Sequence, residues 1–137
     1  MAQSIKLGND TYLDWSGVTV DNQGTKLNEV SVNTSITPAT GWTIDSTITR
    51  VLRTGRICQL TLGVGATQMS TGWNHVATLP VGYYPFRTVN AIVALNNATD
   101  ESMQASLDAN DGKIRVYYKA SAATNPLIRL QCTYICA

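Results

Sequence analysis

The chain has 137 residues and a formal net charge of +1, with 44% hydrophobic and only 14% charged residues. Such a length suits one domain with a short appendage, able to hide roughly two-thirds of its unfolded surface without a covalent staple. The basic residues are scattered, with only a loose group at Arg50, Arg53 and Arg56. That excludes the basic stripe of a nucleic-acid binder, and no apolar run approaches the roughly 20 residues of a membrane-inserted helix.

Residues 1–36 read as an N-terminal connector or shoulder. Short apolar pairs, Ile5 with Leu7, Leu13 with Trp15 and Val18 with Val20, are separated by turn formers at Gly8-Asn9-Asp10, Ser16-Gly17 and Asp21–Gly24. Pieces this short cannot build a core of their own. Residues 25–30 fit one helical turn with Leu27 and Val30 on one side. Thr37-Pro38-Ala39-Thr40-Gly41 marks the boundary, and residues 37–137 read as the main domain.

From Trp42 onward the pattern is that of strands. Thr47–Arg53 and Arg56–Val64 are joined as a tight hairpin at Thr54-Gly55. In Arg56–Val64, Cys58, Leu60, Leu62 and Val64 share one face. In Arg87–Leu95, Val89, Ala91, Val93 and Leu95 do the same, as do Ile114, Val116 and Tyr118 in Lys113–Lys119. The closing stretch Leu127–Cys136 places Ile128, Leu130, Cys132, Tyr134 and Cys136 on one side. Its other side mixes Leu127, Ile135, Arg129, Gln131 and Thr133, which suits a subunit interface. Period-two alternation repeated in this way predicts antiparallel strands with one buried face each, packed as a sandwich.

Residues 97–110 read two ways. A helix capped by Thr99 aligns Met103 with Leu107; a strand turns Met103, Ala105 and Leu107 inward. The neighbouring strands and the Asp111-Gly112 turn favour the strand. Pro80 and Pro85 cannot donate to a ladder, so they end one strand and mark the crossing to the next, with Gly82 turning between them.

The chemistry needed by an enzyme is missing. His75 is the one histidine, so it is the one side chain with a neutral-pH base's ordinary pKa. No Gly-x-Ser-x-Gly elbow and no phosphate-cradling glycine loop occurs. The acids at Asp100-Glu101 and Asp108–Asp111 read as solvated turn acids, and Asp108–Gly112 lacks the continuation of a calcium loop. No catalytic residue, metal site or cofactor is expected. Three cysteines, Cys58, Cys132 and Cys136, with no leader-like start at Met1–Lys6, read as free thiols acting as small buried hydrophobes. Cys132 and Cys136 on one strand sit roughly 13 Å apart, too far to bridge.

Binding is the better prospect. Saccharides present apolar C–H faces and hydroxyls together, so their sites combine an aromatic plate with polar side chains. Trp73-Asn74-His75 follows Ser70-Thr71-Gly72, and Tyr83-Tyr84 follows Pro80. These loci form a candidate site if they meet at one end of the domain. Otherwise Trp73 and one tyrosine plug the end of the core.

Three features carry a resemblance. They are the hairpin Thr54–Leu60, the run Val76-Ala77-Thr78-Leu79-Pro80-Val81-Gly82-Tyr83-Tyr84-Pro85, and a strand–Asp111-Gly112–strand unit followed by a closing strand. Together they resemble the head of bacteriophage or prophage tail-fibre and baseplate receptor-binding proteins. The opening Ile5–Asp14 is similar to segments of phage tail proteins. The resemblance implies an antiparallel jelly-roll-like β-sandwich, a homotrimer, contacts with other phage tail proteins, and adhesion to a host-surface glycan. It also implies a place in the virion tail after synthesis in the bacterial cytoplasm without a signal peptide.

Overall fold

A computed structural model describes residues 5–6, 12–14, 17–19, 30–96, 98–119 and 123–137, the first three segments and 98–102 by their backbone alone. Among the described residues every regular element is a strand. In chain order they are β1 (Ile5–Lys6), β2 (Tyr12–Asp14), β3 (Gly17–Thr19), β4 (Val30–Asn33), β5 (Thr37–Pro38), β6 (Trp42–Ile44), β7 (Arg50–Thr54) and β8 (Ile57–Ala66). There follow β9 (Gln68–Met69), β10 (Gly72–Thr78), β11 (Val89–Leu95), β12 (Ala98–Leu107), β13 (Lys113–Tyr118), β14 (Ala123–Thr124) and β15 (Leu127–Ile135).

β1, β2 and β3 form a small antiparallel sheet, and β9 pairs with β14. The main sheet runs β4-β7-β8-β15-β11-β12-β13-β10-β5, with β6 on β8, and curls into a half-barrel. All its pairings are antiparallel. The hydrophobic alternation explains which face turns inward. Leu60, Leu62 and Val64 of β8, Ile114 and Val116 of β13, and Ile128 of β15 are fully buried, with Val51, Val76, Val93 and Leu107. Each such side chain contributes about 1.5–3 kcal/mol relative to an exposed one. Thr49 is the buried polar residue among the described ones; its hydroxyl donates to the Gly63 carbonyl at 3.1 Å and accepts from the Gly63 N–H at 3.0 Å.

Residues 98–107 are a strand, not a helix: β12 lies between β11 and β13, with Met103, Ala105 and Leu107 buried. The first hairpin is shifted by one residue from the expected turn. Thr54 pairs with Ile57 across Gly55-Arg56, and Gly55 takes φ 57°, the left-handed value a primed turn requires at its first central position. β7 begins at Arg50, because residues 45–48 form a turn closed by Thr49 N–H donating to the Asp45 carbonyl at 3.1 Å. β4, within the stretch expected to be a connector, pairs with β7 at the edge of the main sheet. The helical turn expected at 25–30 lies outside the described residues except for Val30, which begins β4.

The cysteines need correction. Cys58 and Cys136 are not free thiols; they form a disulfide with Cα atoms 6.0 Å apart. The β8–β15 register sets Tyr134 opposite Cys58, so Cys136, two residues on, points inward on the adjacent diagonal. That separation suits a bridge. Cys132 remains free and half-buried on the same face, and burial raises its thiol pKa.

Candidate functional site

Trp73 begins the outward side of β10 and is 53% exposed. Its register partner is Tyr117 of β13. The rings meet edge to face, 5.2 Å between centroids at 63°. Such a pair is worth about 0.5–1.5 kcal/mol beyond area burial, so the indole is held in place although it faces solvent. Gln104 of β12 stands opposite Tyr117 and is exposed, and Ile92 of β11 stands opposite Gln104. One cross-strand row thus presents an indole, a phenol, an amide and an alkyl side chain on the outer face. Alternation puts Tyr117 and Gln104 outside, but only the register brings Tyr117 beside Trp73 and Gln104 beside Tyr117.

Asn74 and His75 work on the backbone beneath this row. The Asn74 amide donates to the carbonyls of Ser70 at 2.8 Å and Gly72 at 3.0 Å, and its oxygen accepts from the Ser70 N–H at 3.2 Å. It therefore ties down the turn that precedes Trp73. His75 Nε2 lies 3.1 Å from the Ala77 carbonyl oxygen and 3.0 Å from Thr78 Oγ1, across the bulge between His75 and Ala77. Desolvation lowers the His75 pKa below 6.5; the Ala77 hydrogen bond opposes this, while nearby Lys113 and Arg115 add to it. Its surroundings thus disfavour the charged form of the ring.

Tyr83 and Tyr84 sit elsewhere. The Tyr83 hydroxyl is 2.6 Å from Ser31 Oγ of β4, and its carbonyl accepts from the Tyr134 hydroxyl at 2.8 Å. Burial raises the Tyr134 pKa well above its ordinary value, so that hydroxyl stays a donor. Arg53 donates to the Gly82 carbonyl from the β7–β8 hairpin. The Tyr84 ring lies against Gly112, whose φ of 67° and missing Cβ make room for it. The loop 80–85 is thus fastened to the body at several points, and both tyrosines pack on the core. Thr78 pairs with Lys113, next to Gly112, while Trp73 pairs with Tyr117. Five residues of strand, about 16 Å, separate the indole from the Tyr84 end of this ladder. The structure keeps Trp73 with Asn74 and His75, and places the two tyrosines at a different end.

Asp108 and Asp111 are paired as well as solvated. Arg115 reaches Asp108 and Asp111 at 3.1 Å each, and Lys113 reaches Asp111 at 3.2 Å. The Lys113 N–H, more than any other group, lowers the Asp111 carboxyl pKa. These pairs close the turn between β12 and β13.

A second outward feature lies at the β4 side of the sheet. Val30, Thr54, Ile57 and Ile135 follow one another across β4, β7, β8 and β15. Phe86 joins them, its N–H donating to the Ile135 carbonyl at 2.7 Å. Val30, Ile57, Ile135 and Phe86 are all exposed large hydrophobics, and Arg56 and Arg87 stand exposed beside them. A comparison with protein families and one with curated proteins found no match to this chain.

Proposed function

We propose that this chain is a non-enzymatic head module of a bacteriophage or prophage tail, which assembles as a homotrimer and binds a cell-envelope saccharide. The observation that carries the reading is the half-exposed Trp73, fixed edge-on by Tyr117 with Gln104 beside it. An indole face accepts the C–H face of a sugar ring, and the neighbouring amide and phenol hydrogen-bond its hydroxyls. The platform is open and shallow, so a single contact is weak. Three copies on one fibre raise avidity without new contacts.

Support for assembly comes from the strip Val30–Ile57–Ile135–Phe86, a run of apolar side chains that water does not reward. On this reading the strip, with the Thr133–Ile135 end of the outer face of β15, is the subunit interface. The two halves of the curled sheet, β4-β7-β8-β15 and β12-β13-β10-β5, then correspond to the two leaves of a jelly-roll-like sandwich. Other tail proteins are the remaining partners.

A glycan array of bacterial envelope saccharides, probed with the purified protein, tests the adhesin. Binding to a defined subset is expected; no binding to any saccharide or host envelope preparation overturns it. Light scattering is expected to give three times the chain mass, falling to one in an Ile57→Asp, Ile135→Asp variant. A wild-type monomer at micromolar concentration contradicts the assembly. The strip by itself favours a second reading, a trimeric structural knob with no ligand of its own. That reading holds if a folded Trp73→Ala, Tyr117→Ala variant leaves phage adsorption intact.

A further inference from the structure

β11 and β15 pair only from Val93 to Leu95 with Ile128 to Leu130. Beyond Val93, towards Val89, the strands part, while β15 continues along β8 to Ile135. The parting opens a cleft of about 490 Å³ on the outer face, lined by Ile48, Thr61, Ile92, Arg129 and Gln131 among others. This volume falls within the range of about 300–1,000 Å³ typical of small-molecule sites.

Its walls are set by the fold. Ile48 lies over Gly63, where a Cβ would come within 2.9 Å of Ile48 Cγ1, so glycine is what lets this side chain settle on the sheet. The turn carrying Ile48 is fastened from both ends. The Asp45 carboxylate accepts from the Thr47 N–H at 3.0 Å and from its hydroxyl at 2.6 Å, and Thr49 grips Gly63. Ile92, opposite, is 75% exposed. The floor carries Thr61 opposite Gln131, with Arg129 the next outward residue on β15. Arg129 is exposed and makes no ion pair or hydrogen bond among the described residues.

We propose that the cleft binds a small organic carboxylate with an apolar body, its carboxylate on Arg129 and its body between Ile48 and Ile92. The planar guanidinium matches a carboxylate's two oxygens, and the Gln131 amide and Thr61 hydroxyl supply further donors. One guanidinium, with the Asp45 carboxylate in its neighbourhood, suits a monoanion better than a phosphate dianion. The alkyl walls, with no aromatic plate among the lining residues, suit an aliphatic body better than a sugar ring.

Calorimetric titration with sodium octanoate, followed by backbone amide chemical shifts, tests this. Saturation with a dissociation constant below about 1 mM is expected, with shifts gathered at residues 48, 61, 92–94 and 129–131. Octanol, glucuronate and the Arg129→Gln variant are each expected to bind at least about tenfold more weakly. Circular dichroism and the thermal midpoint confirm that the variant is folded. Octanol binding as well as octanoate, an unaffected Arg129→Gln variant, or shifts gathered elsewhere overturns the carboxylate site. Tighter binding of glucuronate than of octanoate overturns the apolar body. No saturation by octanoate at about 10 mM overturns the whole proposal.

Discussion

Removing the Cys58–Cys136 bridge is expected to cost this protein a large part of its stability. The bridge joins β8 to the residue just past β15 across a sequence separation of 78 residues. Closing a loop of that size in the unfolded chain corresponds, on the chain-entropy relation, to about 4.5 kcal/mol at room temperature. A domain of this size has about 5–15 kcal/mol in total, so the loss is about 30% or more. At roughly 3–4 °C per kcal/mol, the thermal midpoint falls by about 15 °C. Urea unfolding of the wild type is compared with a Cys58→Ala, Cys136→Ala variant and with reduced wild type, using Cys132→Ala as the control that leaves the bridge intact. The thiol count of the denatured, unreduced chain is read in parallel and should be one. A stability difference under about 1 kcal/mol refutes the entropic reasoning, and three titratable thiols refute the bridge itself.

Other expected outcomes follow from single positions. Gly112→Ala should cost about 2–4 kcal/mol, because alanine is strained at positive φ and its Cβ must displace the Tyr84 ring. Gly82→Ala, with φ +91° and nothing within 4 Å, carries only the backbone strain of about 1–2 kcal/mol, and thermal unfolding of the two should show that gap. His75 has a folded pKa below 6.5, so the unfolded chain binds the proton first as pH falls. Stability therefore drops as pH falls from near 6.5 to the folded value and then levels off, and His75→Gln should abolish this slope between about pH 7 and pH 5. An NMR titration placing the His75 pKa at or above 6.5 contradicts the assignment. Tyr134→Phe removes the hydrogen bond to the Tyr83 carbonyl and should lower stability by about 1 kcal/mol, read as a shifted urea midpoint at unchanged slope.

Strand faces were legible because burial imposes a period of two on a half-buried strand. Leu60, Leu62 and Val64, then Ile114 and Val116, then Ile128 and Leu130, all point where the alternation puts them. Pairing order leaves no such trace. Nothing local in Leu127–Ile135 says that β15 lies between β8 and β11, so the Cys58–Cys136 bridge was out of reach. Spacing within Leu127–Cys136 addressed only Cys132 and Cys136, whereas the true partner arrives through the β8 register. The same blindness hid Tyr117 as the neighbour of Trp73, Gln104 as the next residue in that row, and Ile48 as the side chain over Gly63. Trp73 was legible as an aromatic among turn residues. Asn74, His75, Tyr83 and Tyr84 look identical in sequence whether they meet a ligand or fasten a loop, and the structure shows them bonded to or packed against their own chain.

The measurement that bears most directly on the adhesin is the affinity of the purified, folded protein for an envelope saccharide selected on the array, before and after removal of the outer aromatic pair. Trp73→Ala with Tyr117→Ala should leave the fold and oligomeric mass unchanged, lower the thermal midpoint by only about 2–6 °C, and weaken binding by about tenfold or more. Equal affinity in the two proteins would mean that the β10–β13–β12 face is not where this molecule meets its ligand.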